Sequence, residues 1–270
     1  MSIEQTMKIT KPYKLTNYSK LKYTLLITFV FFIFSCGGGK QVTSSKTINT
    51  KQFQTSFESV NDFQSFYIVP QNHMGSASHD LSTEIVHSGN YAHKAWIYAK
   101  NPESNFFQNN NHRAYPTIQL YKKTGGAFKT PVLIEFYVWL DITLAPGEWF
   151  SFATLDHTTS DSWDPVLVNL SDEGFVHLMH VPLNGQGIHT FQTTTNKFPM
   201  KEWVKLTIII HFDKNNGYAE VMQNDELVSR AEIKRGNGLF TQAHFGLYAP
   251  PLLSNGLIYN DDLIIKELNE

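Results

Sequence analysis

The chain holds a single cysteine, Cys36, so no internal disulfide can brace its fold. It has no surplus of positive charge: 22 Lys and Arg stand against 24 Asp and Glu, a formal net charge of -2. Nucleic-acid binding needs a basic face, and this balance excludes it. No stretch shows the spacing of a long amphipathic helix, and no segment repeats. No motif supports Ser or Cys nucleophile chemistry. His73, His79, His87 and His93 are scattered without ligand spacing, so they read as surface or loop residues and zinc is not expected. What the chain does have is aromatic side chains, 14% of its residues, with 20 Phe and 12 Tyr. That is enough for a large core with rings left over for a binding surface.

The amino-terminal end is built for export. Lys8, Lys11, Lys14, Lys20 and Lys22 form a basic leader, and Leu25 to Phe34 is a ten-residue apolar run. Such a run is short for a membrane span and suits a secretory signal. Ile33-Phe34-Ser35-Cys36-Gly37 closes it, and this end resembles a lipoprotein signal. The resemblance implies that residues 1–35 are removed and that Cys36 is lipidated. Phe34 is bulkier than that pattern usually carries. Met7 serves as a start as well as Met1 does, because the first six residues add nothing to the signal. No Asp follows the Cys, which in two-membrane bacteria implies the outer membrane. Contact with the membrane is then through the acyl chains alone. Residues 36–55, polar and rich in Gly, Ser, Thr and Lys, read as a tether, leaving 56–270 as one domain.

That domain alternates apolar and polar residues almost throughout. Val132, Ile134, Phe136, Val138, Leu140 and Ile142 share one strand face, with Glu135, Tyr137 and Trp139 on the other. Val204, Leu206, Ile208, Ile210 and Phe212 repeat the pattern. Further strands are expected at 92–99, 115–122, 149–155, 166–169, 175–180, 217–223, 226–233, 243–249 and 262–267. Turn signals part them, among them Thr124-Gly125-Gly126, Ala145-Pro146-Gly147 and Lys214-Asn215-Asn216-Gly217. Many short strands at regular spacing predict an all-β antiparallel sandwich or barrel.

Four segments in order carry a closer likeness: Trp203-Val204-Lys205-Leu206-Thr207-Ile208, Gly217 to Asn224, His244-Phe245-Gly246-Leu247-Tyr248, and Tyr259-Asn260-Asp261-Asp262-Leu263. Together they resemble concanavalin A-like jelly rolls, the fold of laminin-G-like modules, lectins, and heparin and alginate lyases. Phe57-Glu58 and Glu84 to Ala92 fit the front end of such a domain. The resemblance implies a structural calcium shared by Glu58 and Asp262, whose hard oxygens suit that ion.

The same likeness points to a groove on one outer sheet face. Arg113, Tyr115, Thr117, Gln119 and Tyr121 form one outward stripe, Glu135, Tyr137 and Trp139 a second, His244 and Tyr248 a third. Ring faces stack on sugars while Arg, Gln and Glu bond hydroxyls or carboxylates. A lyase of acidic polysaccharides needs a neutraliser for the uronate, a base and an acid. Arg113 and Gln119 are candidates for the first role, His180 and Tyr248 for the others. Phe175 to His180 holds two histidines, and alternation leaves open whether His177 or His180 faces out. The Arg-rich and Gln-x-His strand motifs of alginate lyases are not matched, and His244 stands where those enzymes carry Lys. A glycoside hydrolase of this fold would show Glu-x-Asp-x-x-Glu, and no such run occurs. The loop Asp156 to Asp164, with His157 and Trp163, is placed to line one end of the groove, and Asn184 to Gly187 beside His189 to act as a lid. The expectation is a monomeric surface lipoprotein that cleaves an acidic polysaccharide, or one that binds a glycan without cleaving it.

Overall fold

Alternation decides the layers. Val132, Ile134, Phe136, Val138 and Leu140 are all fully buried, while the residues between them are only half-buried. Val204, Leu206, Ile208, Ile210 and Phe212 are fully buried in the same way. A computed structural model describes residues 50–66, 75–101, 111–123, 126–159, 163–180, 188–190 and 196–268. Cys36, the apolar run before it, the turn at Thr124-Gly125 and the Asn184 to Gly187 loop lie outside the described residues.

The first sheet has eight strands. Its order is β14 (Glu226–Glu232), β13 (Tyr218–Gln223), β12 (Trp203–His211), β7 (Val132–Asp141), β17 (Gly256–Glu267), β3 (Ala92–Ile97) and β2 (Ala77–Ser82). β1 (Gln52–Thr55) pairs with the far half of β17. The second sheet has seven strands. Its order is β11 (Ile188–Thr190), β10 (Val176–His180), β9 (Val166–Ser171), β8 (Trp149–Asp156), β16 (Gln242–Ala249) and β4 (His112–Ala114), with β5 (Thr117–Gln119) also on β16. β6 (Phe128–Lys129) and β15 (Leu239–Phe240) form a small ribbon. The two large sheets pack face to face, with Phe136 of one meeting Phe245 of the other edge-on at 5.3 Å. This is an antiparallel sandwich, one of the two architectures that the alternation predicts, and the jelly roll that the resemblance implies. The β13–β14 hairpin turns on Asn224 and Asp225, both at positive φ (48° and 68°), as a two-residue hairpin turn demands.

Three expectations are corrected. The domain does not begin at residue 56: β1 uses residues 52–55 of the expected tether, and the compact unit runs Ile48–Glu270. The strand expected at 115–122 breaks, because Pro116 interrupts the ladder and residues Leu120–Lys123 coil into a helical turn, α1. Tyr121 therefore leaves the stripe assigned to it. Finally, His79 and His93 are not surface residues but fully buried. Asn260 Nδ2 donates to His93 Nδ1 at 3.1 Å, and His93 Nε2 pairs with His79 Nδ1 at 2.9 Å. His79 Nε2 and Asn260 Oδ1, the two ends of this chain, have no partner. No helix among the described residues is long and apolar enough to cross a membrane.

Burial holds His79 at a pKa of about 3 and pushes His93 well down, aided by the neighbouring imidazole. An unfolded His takes up its proton near pH ~6.5. The unfolded state therefore binds more protons below that value, and stability falls as pH drops from there toward 3. Asp261 acts in the opposite sense over part of this range, since burial raises its pKa to about 6. Urea unfolding at pH 5 should show a lower midpoint than at pH 7. His79→Gln should flatten the slope by up to about 1.4 kcal/mol per pH unit.

Candidate functional site

Strand register lines up a row of polar side chains across the outer face of the second sheet. Arg113 of β4 stands opposite Tyr248 of β16, Tyr248 opposite Ser151 of β8, Ser151 opposite Asn169 of β9, and Asn169 opposite His177 of β10. Neighbouring residues along these strands, such as Leu247, Leu170 and Leu178, point into the core. The Tyr248 hydroxyl accepts a hydrogen bond from Asn111 Nδ2 at 3.0 Å, which leaves its own proton for another acceptor. The Arg113 guanidinium lies 5.2 Å from the Tyr248 ring centre, and Trp149 meets that ring edge-on at 4.9 Å.

The bend that brings Arg113 and Tyr248 together depends on Gly246. Its φ is 145°, and a Cβ there would lie 2.8 Å from the Ala114 carbonyl oxygen and 2.9 Å from His93 Cε1. The ladder between β16 and β8 shifts register just here, between Phe245 and Tyr248. Only glycine allows both the close approach and the backbone angle.

Toward β10, beside the β11 edge of the sheet, the row changes character. His177 is buried, and its Nδ1 lies 3.3 Å from the Phe175 carbonyl. A carbonyl only accepts, so that contact places a proton on Nδ1. Asn169 is 1% exposed and its Oδ1 has no partner. An unpaired buried amide oxygen costs about 1–3 kcal/mol, which a ligand hydroxyl would relieve. His180 was the expected base, and the structure corrects this. It shares a row with Leu155 and Val166 on the core side, on the face opposite Tyr248. Its Nδ1 is buried without a partner, and burial, then the Arg235 charge, lowers its pKa. The signal in sequence was the apolar pair Val176 and Leu178, which marks the inward set and puts His177 outward.

A second group sits further along β16. Tyr115 stacks on His244 at 4.2 Å, and Trp163 covers the other side at 4.1 Å. Burial and then the Arg113 charge depress the His244 pKa to about 3, so this imidazole is neutral and cannot neutralise a uronate. Trp163 is held by its loop. Asp156 accepts backbone bonds from Thr158 at 2.8 Å and Asp164 at 3.0 Å, while the Asp164 carboxylate binds Arg235 and His157 Nε2. His157 packs on core Phe212, so it anchors this loop and does not line the groove. Gln119 bonds Gln242 at 3.3 Å, in a row six residues along β16 from Tyr248, roughly 20 Å away. It therefore stands apart from Arg113 and Tyr248.

Glu135, Tyr137 and Trp139 are on the other sheet, and this is the largest correction to the expected groove. Sequence alternation shows that a residue faces outward but not from which sheet. Glu58 and Asp262 do meet, on that same sheet, at a depression of ≈ 590 Å³ lined also by Ser56, His87 and Tyr137. Asp262 accepts from Ser56 Oγ at 2.8 Å, Ser88 Oγ at 2.6 Å and His87 Nδ1 at 2.6 Å. Glu58 Oε1 accepts from the backbone of Asn90 and Tyr91. Two carboxylates and two hydroxyls give a hard oxygen set that suits calcium. Among the described residues, no group of three or more His, Cys, Asp or Glu gathers to hold a metal.

No protein-family model matches the chain, and no curated protein matches it by sequence. Its fold does match solved structures. An endo-β-1,4-glucuronan lyase from the fungus Trichoderma reesei aligns with a TM-score of 0.58 at 11% identity, over 81% of this chain and 95% of that one. The cellulose-induced protein Cip1 aligns with a TM-score of 0.51 at 12% identity, over 70% and 85%. At such identities the likeness establishes the fold, the concanavalin A-like jelly roll, and function must come from the site.

Replacing Gly246 tests the role of the bend. Gly246→Ala should separate Arg113 from Tyr248, and the fluorescence of Trp149, which touches Tyr248, should shift while far-ultraviolet circular dichroism stays that of a β-sandwich. An unchanged Trp149 signal in that variant would show that the bend does not depend on the glycine.

Proposed function

We propose that the chain cleaves an acidic polysaccharide by β-elimination on the outer face of the second sheet. The observation that carries this reading is the cluster of Arg113, Tyr248 and Asn111 at one end of a row that ends in His177. Arg113 pairs with the uronate carboxylate and stabilises charge that develops there as the neighbouring proton leaves. His177, through Nε2, takes that proton. The electron pair of the broken C–H bond becomes the new double bond, the glycosidic C–O bond breaks, and the Tyr248 hydroxyl returns a proton to the departing oxygen. Tyr248 and His177 are three strand spacings apart, roughly 14 Å between backbones, so a sugar ring lies over Ser151 and Asn169 between them. Tyr115 and Trp163 with His244 form a ring wall beside it. The similarity of fold to a glucuronan lyase supports an acidic glycan as substrate. The same separation of Tyr248 from His177 favours a second reading, a lipoprotein that binds the glycan without cleaving it.

Incubation with a panel of uronic-acid polysaccharides should raise the ultraviolet absorbance of the unsaturated product. Tyr248→Phe and His177→Ala should each lower kcat/KM by about 10²–10⁴-fold. His180→Gln should leave the rate of the folded protein unchanged, because that ring faces the core. A flat trace with retention on one glycan would establish the second reading.

Calcium at Glu58 and Asp262 would tie the segment after β1 to β17. At roughly a hundred times its Kd the ion should add about 2.7 kcal/mol, a rise in Tm of about 5–10 °C that EDTA reverses and Asp262→Asn abolishes. Lipidation at Cys36 would hold the domain at the outer membrane and the cell surface. Labelled palmitate should enter the chain, and Cys36→Ser should abolish the label.

A further inference from the structure

The stripe of Glu135, Tyr137 and Trp139, separated from the candidate active site, belongs to a second aromatic surface. Three of the five Trp residues stand on the outer face of the first sheet: Trp96, Trp139 and Trp203. Register puts Tyr259, Trp139 and Trp203 in one row across β17, β7 and β12. Trp139 meets Tyr259 edge-on at 5.7 Å. Trp203 meets His87 at 5.4 Å, and His87 lies flat on Tyr137 at 3.7 Å. A depression flanks this row on each side. One, of ≈ 510 Å³, is lined by Trp96, Asp141 and Leu257. The other is the ≈ 590 Å³ depression beside Tyr137 and His87. Along β7 they span Glu135 to Asp141, roughly 20 Å.

We infer that this face is a second glycan-binding surface, distinct from the candidate active site, and that its ligand is a neutral polysaccharide. Tyr259 is fully buried and backs Trp139, while the half-buried Trp96, Trp139 and Trp203 offer their rings to the C–H edges of pyranoses, and an extended chain can run from one depression to the other across the row. The charges beside the row disfavour an acidic polymer. The lysines flanking the aromatic row are paired: Lys94 with Glu84, Lys201 with Asp141 at 3.1 Å and Lys205 with Asp225 at 2.6 Å. Glu58, Glu135 and Asp262 leave the second depression acidic, and Glu135 keeps it so with calcium on the other two. The other sheet presents Arg113 to its ligand instead. One sandwich thus holds a neutral polymer on one side while the opposite side faces an acidic one. The inference stands on this face alone and does not require that the other be catalytic.

The full chain is run in native gels containing galactomannan, hydroxyethylcellulose or alginate. Retardation by at least one neutral polymer is expected. Trp139→Ala or Trp203→Ala should weaken it by about tenfold or more in apparent affinity, the loss of one good ring contact. Tyr248→Phe should leave it unchanged. Should either Trp variant fail to fold, Trp96→Ala and Tyr137→Ala probe the two depressions separately, with the same weakening expected. Retardation by alginate alone, by neither neutral polymer, or undiminished in all the variants that fold overturns the inference. So does loss of neutral-polymer retardation in Tyr248→Phe, which would place that binding on the other sheet.

Discussion

The pairing of β7 with β12 on one side and β17 on the other fixes where every outward residue of the first sheet stands. Each of the inward residues of β7 is fully buried against the second sheet, so the strand cannot slip by one residue without turning that whole set to solvent. Phe136 against Phe245 then sets the second sheet in its place. The candidate active site and the aromatic face of the first sheet both lie on the outside of this shared core.

The candidate active site rests on a less regular device. Gly246 lets β16 pass against Ala114 and over His93, and the register shift there turns Tyr248 toward Arg113. His93 is itself one link in the buried chain of His79, His93 and Asn260. The support under the site is thus a buried cluster of neutral polar side chains. Proton uptake by that cluster would place charge in a dry interior, which is why burial holds both imidazoles neutral.

The two outer faces differ in chemistry although both carry aromatic rings. On the second sheet Arg113, with the neutral His244 nearby, favours an anionic ligand. On the first, paired lysines and an acidic depression disfavour one. A sandwich accommodates both because each sheet commits only one face to the core.

Alternation alone determined the all-β class, most strand positions and the inward set of β7 and β12, because burial on one face imposes period two on the residues themselves. It also set Arg113, Tyr115, His244 and Tyr248 facing outward, and the structure brings Arg113 to Tyr248 and Tyr115 to His244. Alternation could not say which sheet a strand joins, so Glu135, Tyr137 and Trp139 were legible as an outward stripe but not as a separate surface. It gave no hint of His79 and His93 in the core, since a buried imidazole chain needs partners distant in sequence. The apolar pair Val176 and Leu178 marks His177 as outward, but nothing pointed to Asn169 or Asn111, whose roles follow from contacts between segments far apart along the chain. Residue chemistry and period belong to the sequence, whereas the meeting of side chains across a sheet is decided only when the strands pair.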